Sequence, residues 1–202
     1  MDIVTNQFDD KVISYIQGIA REGIQNAAVG FAGILGQRLN VTEPSFRVVP
    51  YAEIPNILGG PESEAVGIYL KAEGSIPLQI MLMLPFHKAF DLVDLLLDQQ
   101  PGTTTQLGTL EKSALGEVGN MTATFFINSI AEKTHLEVRP TPPSVMVDMV
   151  GAILDVIVAS SGEISENVLM LQAAFRLDDR EVQADFWVIP DQTTVDKFSS
   201  RL

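Results

Sequence analysis

An α+β fold made of two pseudo-repeats, each ordered α-β-β-β-α, is predicted by three features of the sequence. Two long proline-free runs with apolar residues at helical spacing occupy 11–40 and 109–135. Each is followed by a proline-broken strand and then a β-hairpin. Each hairpin ends on a proline, Pro85 or Pro190, which opens a further helix. The expectation is a single domain over 1–202, with halves at about 8–100 and 108–202. The halves are expected to be related by a pseudo-two-fold axis, with the two long helices side by side on a β-sheet. Neither half is large enough to bury its apolar faces alone.

The elements follow in order. KVISYIQGIAREGIQNAAVGFAGILGQRLN, from Lys11, reads as the first long helix. SFRVVPYAEI reads as a strand with a proline inside it, hence an edge or a strand end. ILGGPES is a loop. EAVGIYLKAEG and SIPLQIMLML read as strands joined near Gly74 and Ser75. In FHKAFDLVDLLLDQQ, Phe90, Leu92, Val93, Leu95, Leu96 and Leu97 give a helical apolar face. PGTTTQLG is a polar linker. TLEKSALGEVGNMTATFFINSIAEKTH is the second long helix, and LEVRPTPPSVMVD a short strand broken by prolines. ENVLMLQAAFRL and REVQADFWVI are strands around Asp178 and Asp179, and DQTTVDKFSS is a weaker last helix. Asn26 to Ile34 lies over Asn120 to Asn128 at an offset of 94, and Pro85 over Pro190 at 105. The 11 extra residues fall around GAILDVIVASSG.

Composition narrows the function classes. The chain has 202 residues, 46% of them apolar, enough for a sizeable core. It holds 26 acids against 13 bases, a net charge of −13. Residues 1–105 carry −6 and residues 106–202 carry −7, an even, solvated spread. Such a chain repels phosphate backbones and anionic lipid heads, so neither nucleic acid nor membrane is an expected partner. There is no cysteine, which removes disulfides, thiol catalysis and Cys-based metal sites. His87 and His135 stand apart, without metal spacing, and are given no chemical role. The N-terminus lacks a basic n-region. The longest uncharged run, Gly23 to Gln37, has 15 residues against the ~20 that a membrane span needs. A cytoplasmic monomer without cofactor or metal of its own is expected. No phosphate-binding loop or nucleophile elbow is present, and GEVGNM lies within a helix rather than between a strand and a helix.

The chemistry points to the second long helix. Ser113, Glu117, Asn120 and Thr124 stand at i, i+4, i+7 and i+11, one polar stripe. Leu110, Ala114, Val118, Met121 and Phe125 form the expected core stripe. Gly116 and Gly119 each cost about 1 kcal/mol relative to Ala in a helix. Either a partner lying flat on the stripe or internal helix packing explains them. A carboxamide has no useful pKa, so it is no general base, but it both donates and accepts and can orient a water. Phosphoryl hydrolysis asks for little beyond such positioning and charge stabilisation. Glu117 can dock a partner's lysine.

These residues resemble the CheC/CheX/FliY family of response-regulator phosphatases in chemotaxis. The family pattern is Asp or Ser, three residues, Glu, two residues, Asn, 22 residues, Pro. It is matched here by Ser113, Glu117, Asn120 and Pro143 at all three spacings. With two units in about 200 residues, the chain is most like the CheC branch. The resemblance implies a protein-aspartyl-phosphate phosphatase acting on phosphorylated CheY, whose Mg2+ belongs to CheY. Asn120 would position the attacking water and Glu117 would dock the partner, with Ser113 and Pro143 in support. It also implies CheD, a receptor-glutamine deamidase, as a partner, although no motif here carries that. At the offset of 94 the first half presents Ile19, Gly23 and Asn26, and Pro50 follows Asn26 by 23 residues rather than 22. Glu22 is turned about 100° off the stripe. The first site, with Asn26 and Pro50, is therefore expected to be degenerate. A non-catalytic CheY- or CheD-binding module and a flagellar-switch component are the rival readings.

Overall fold

The computed structural model describes residues 10–35, 40–41, 45–160, 166–177, 180–190, 194 and 196–197. The first half contributes α1 (Asp10–Leu35), β1 (Asn40–Val41), β2 (Ser45–Pro50), a 3-10 turn (Tyr51–Glu53), the one-turn helix α2 (Ile54–Ile57), β3 (Glu64–Gly74), β4 (Leu78–Pro85) and α3 (Phe86–Leu96). The second contributes α4 (Thr109–Thr134), β5 (Val138–Pro140), β6 (Ser144–Met149), α5 (Val150–Ser160), β7 (Asn167–Leu177) and β8 (Arg180–Pro190). Thr194, Asp196 and Lys197 are helical, and the rest of the expected last helix lies outside the described residues.

All eight strands join one antiparallel sheet in the order β1–β7–β8–β4–β3–β5, with β2 also on β7 and β6 also on β3. Each outer rail is shared by two short strands. On the β3 side the break falls at Thr141, Pro142 and Pro143. Two successive prolines offer no N–H to a ladder. Thr141 closes the gap, its N–H reaching the Lys71 carbonyl at 2.8 Å and its Oγ1 accepting from the Lys71 N–H at 2.9 Å. The pairing also exchanges between the halves: β1 and β2 complete β7, while β5 and β6 complete β3.

Both faces of the sheet are covered. Val66, Ile68 and Leu70 of β3 and Ile80, Leu82 and Leu84 of β4 face α1, α3 and α4. Ala65, Tyr69, Met81 and Met83 face α5, through Val150, Ile153, Leu154 and Ile157. Double coverage explains the unbroken apolar run of β4, which alternation alone would not produce. α1 packs on α4 where Gly23 meets Phe126: a Cβ on Gly23 would stand 2.8 Å from the Phe126 Cα. The Phe126 ring in turn meets Phe186 of β8 edge-on, centroids 5.3 Å apart.

Three sequence expectations need correction. Each half holds four strands and a helical segment, not three strands. The strand expected over SFRVVPYAEI stops at Pro50, and Tyr51–Ile57 turns helical, with Pro55 in the first turn of α2, where its missing N–H costs nothing. The extra residues around GAILDVIVASSG include the helix α5, docked by the Tyr51 hydroxyl on the Leu154 carbonyl at 2.9 Å.

The segment read as a linker is instead a held turn. Asp94 of α3 is 0% exposed, and its carboxylate accepts the N–H groups of Gly102 (2.7 Å), Thr103 (3.1 Å) and Thr104 (2.8 Å). Burial alone would raise its pKa; the hydrogen bonds from Thr104, Gly102 and Thr103 outweigh burial and hold it below the ordinary carboxylate value. A depressed folded pKa stabilises the fold above the unfolded value of about 3.9, and that contribution is lost as pH falls through the folded value. Asp94→Ala, which orphans three N–H groups, is expected to cost at least about 3 kcal/mol at pH 7. In urea melts the gap from the unaltered chain should narrow below pH 4 or thereabouts; a gap independent of pH would refute this role.

Candidate functional site

α4 starts after Gly108, in extended conformation, and ends on His135, whose left-handed backbone (φ 55°) caps it through an N–H to the Ala131 carbonyl at 2.8 Å. The helix is covered twice, by β3 beneath and α1 beside it, so its buried residues wrap a wide arc: Leu115, Val118, Thr122, Ala123, Phe126, Ile127 and Ile130. Buried hydroxyls are satisfied within the helix, as where Thr122 Oγ1 donates to the Val118 carbonyl at 2.8 Å.

One ridge remains outside. Ser113 and Glu117 are exposed, Asn120 and Thr124 half-buried, and Asn128 exposed. The expected core stripe is misplaced: of its five members only Val118 is buried, and Leu110 is 61% exposed. Leu110 stands two turns before Glu117, on the ridge itself, an exposed apolar residue beside the polar ones that the sequence reading missed. Its signal was an apolar residue one turn before Ser113. Among the described residues the side chains of Ser113, Glu117 and Asn120 have no hydrogen-bond or ion-pair partner. A carboxylate and a carboxamide one turn apart are thus both uncommitted.

One of the two glycines, Gly119, seats the helix from below. A Cβ on Gly119 would overlap Ile68 Cγ2 of β3. A Cβ on Gly116 would stand 3.5 Å from Val145 Cγ2 and 3.8 Å from Pro143 Cγ. Packing of helix on sheet therefore accounts for Gly119, whereas at Gly116 an added methyl group would make only ordinary contacts. Pro143, one residue before β6, lies against the turn of α4 that carries Glu117. Ser113, Glu117, Asn120 and Pro143 are thereby gathered in one region. His87 and His135 are exposed and away from the ridge. No cluster of three acidic or histidine side chains is placed to hold a metal, and no helix is long and apolar enough to cross a membrane, among the described residues.

A model of the CheC-like family matches residues 110–147, the segment from Leu110 through Glu117, Asn120 and Pro143 to β6. The chain is similar to the CheC-like family over that segment. It is 21% identical over 198 residues to the CheY-P phosphatase CheC of Bacillus subtilis (strain 168), covering 96% of this chain and 95% of that one. Its fold is that of Thermotoga maritima FliY, with a TM-score of 0.72, 18% identity and 96% of each chain covered. It is also similar to a chain in the CheX-CheY-BeF3-Mg+2 complex of Borrelia burgdorferi, with a TM-score of 0.51, 17% identity, and 84% of this chain and 97% of that chain covered.

The first half of the chain does not match the offset read from its residues. β2 and β6 end 99 residues apart, at Pro50 and Met149, each running straight into a helical segment. β2 and β6 also begin 99 apart, at Ser45 and Ser144. In that frame Ser113, Glu117 and Asn120 correspond to Ser14, Gly18 and Arg21. Asn26 corresponds to Phe125 instead, and Pro50 to Met149. Asn26 is exposed rather than held between helices, and Pro50 is the last residue of β2, opposite Asn167 of β7. Neither occupies the position that Asn120 or Pro143 has. Glu22 pairs with Lys133 of α4 at 2.8 Å, an exposed link worth about 0–1 kcal/mol.

Proposed function

We propose that the chain is a phosphatase for the aspartyl phosphate of CheY, acting through the α4 ridge. The observation that supports it most is the uncommitted pair Glu117 and Asn120, one turn apart on an exposed ridge within the segment that matches the CheC-like family. The similar chains named CheY-P phosphatase CheC and CheX in complex with CheY make CheY the partner to test.

Glu117 pairs with a lysine of CheY and fixes register. Leu110 adds apolar contact beside it. Asn120 then faces the phosphoryl group, its carbonyl accepting from a water and its amide donating to that water or to a phosphoryl oxygen. The water attacks phosphorus, the P–O bond to the aspartate breaks, the aspartyl carboxylate is regenerated and inorganic phosphate leaves. The protein supplies position; charge stabilisation comes from the Mg2+ held by CheY. Ser113 borders the docked partner, and Pro143 backs the helix turn beneath Glu117.

Glu117→Ala removes a charge-assisted contact worth about 1.5–3 kcal/mol. Affinity for phosphorylated CheY should fall about 10- to 150-fold, with a smaller loss in maximal rate. Calorimetry with beryllofluoride-activated CheY checks this, and unchanged affinity would remove Glu117 from docking. A flagellar-switch role is favoured by a different observation, the higher structural similarity to FliY than to CheX. Co-purification with the flagellar basal body, without any effect on CheY-P decay, would select that reading.

A further inference from the structure

Thr124 is the one member of the polar stripe that the family pattern does not contain and that docking and hydrolysis leave without a role. It lies one turn after Asn120 and is half-buried. Of the four hydroxyls from Thr122 to Thr134, the other three are spent within the helix. Thr122 Oγ1 donates to the Val118 carbonyl at 2.8 Å, Ser129 Oγ to the Phe125 carbonyl at 3.0 Å, and Thr134 Oγ1 to the Ile130 carbonyl at 2.7 Å. All three are buried, where the carbonyl one turn back is the partner at hand. The Thr124 hydroxyl makes no such bond, and among the described residues it has no hydrogen-bond partner. Threonine is also a weaker helix former than alanine. Neither helix propensity nor an internal bond accounts for a hydroxyl at this position.

Helix geometry gives that hydroxyl a neighbour. The Cα–Cβ bonds of an α-helix tilt toward its N-terminus, so the side chain four residues on leans over the turn before it. Cβ atoms at that spacing stand about 5–6 Å apart, within reach of a side-chain hydrogen bond. Thr124 is thus placed over Asn120, while Glu117, on the preceding turn, is taken by the docked partner. A carboxamide without a partner presents either end, because its oxygen and nitrogen have nearly the same shape. Only one flip serves hydrolysis. Oδ1 must accept from the attacking water, which leaves the water's lone pair for phosphorus. A hydroxyl that accepts from Nδ2 holds that flip; the other flip would spend Oδ1 on the hydroxyl proton.

We propose that Thr124 is a positioning residue for hydrolysis: in the docked complex its Oγ1 accepts from Asn120 Nδ2 and turns Oδ1 toward the attacking water. The proposal rests on the reading of the α4 ridge as the site that acts on phosphorylated CheY. In the free chain both groups face solvent on the ridge, and the bond between them is not made. It closes when CheY covers the ridge and water no longer competes for the two groups, as catalytic hydrogen bonds commonly tighten only once the substrate is bound. Thr124 acts through Asn120 and does not itself touch the phosphoryl group.

Single-turnover phosphate release from pre-phosphorylated CheY, at saturating full chain, tests it, with affinity for beryllofluoride-activated CheY read separately by calorimetry. Thr124→Val keeps the shape of the side chain and removes the hydroxyl, whereas Thr124→Ser keeps the hydroxyl. Thr124→Val should slow release about fivefold, the scale of one neutral hydrogen bond, and leave affinity unchanged. Thr124→Ser should stay nearer to the unaltered chain than to Thr124→Val. Thr124→Ser slowed as much as Thr124→Val, or affinity falling in step with the rate, would overturn the role in orienting Asn120. An unaltered rate in Thr124→Val, with Asn120→Ala at the intrinsic rate, would overturn it too and leave the α4 reading standing. Asn120→Ala at the rate of the unaltered chain would overturn the α4 reading and this proposal with it.

Discussion

Asn120→Ala is expected to lower the rate of phosphate release from phosphorylated CheY by on the order of 100-fold or more, the scale seen when one positioned polar group is removed from a reacting centre. Binding of beryllofluoride-activated CheY should change little, because Glu117 and Leu110 remain. Stability should stay within about 0.5 kcal/mol, since Asn120 makes no hydrogen bond among the described residues and lies on the ridge rather than in the core. Loss of rate with retained binding separates a residue that orients water from one that merely docks the partner. A fall in binding as large as the fall in rate would assign Asn120 to docking.

Gly119→Ala is the second large effect. The added methyl group would overlap Ile68 Cγ2, and Ile68 is 0% exposed on a central strand, with no room to retreat. Overpacking of this kind costs about 1–3 kcal/mol. The helix is pushed outward at the residue before Asn120, so turnover should fall along with stability. Ile68→Ala alone opens a cavity and costs about 2–5 kcal/mol. In the double variant the alanine methyl occupies part of that cavity, and the two losses should fall short of their sum by about 0.5–3 kcal/mol. Part of the turnover lost in Gly119→Ala should return in the double variant. Additive losses in urea melts, with no recovery of turnover, would show that the seating of α4 on β3 does not set the site.

The ridge of α4 was legible because its elements are local. A proline-free run, three fixed spacings and helical geometry are enough to set Ser113, Glu117 and Asn120 side by side. The core side of the same helix was not legible. Sandwiched between sheet and α1, α4 buries an arc too wide for one stripe, and Leu110 reads as core on its chemistry alone. The hairpin strands were readable from turn signals and apolar runs. α5 was passed over although Val150, Ile153, Leu154 and Ile157 stand at i, i+3, i+4 and i+7. Its largely β-branched composition, with Asp155 as the one charge, does not distinguish a buried helix from a strand, and no loop separates it from β6. The register between the halves failed for a related reason. α1 is apolar around much of its circumference, so several offsets satisfy the pattern, and within Asn26 to Ile34 the offset of 94 rests on only two shared residues, Asn26 over Asn120 and Phe31 over Phe125. Strand ends and strand pairing fix the frame, and pairing depends on contacts distant in sequence. The buried Asp94 is of the same kind: nothing in DLVDLLLDQQ separates it from its half-buried neighbour Asp91, except the three N–H groups that the following turn returns to it.

The most direct measurement of the central claim is the decay of pre-phosphorylated CheY, followed by phosphate release, with no addition, with the full chain, and with the full chain carrying Asn120→Ala. Acceleration by the unaltered chain, and decay close to the intrinsic rate with Asn120→Ala, is the predicted result. Decay at the intrinsic rate with the unaltered chain, at concentrations where calorimetry shows CheY bound, would contradict the account.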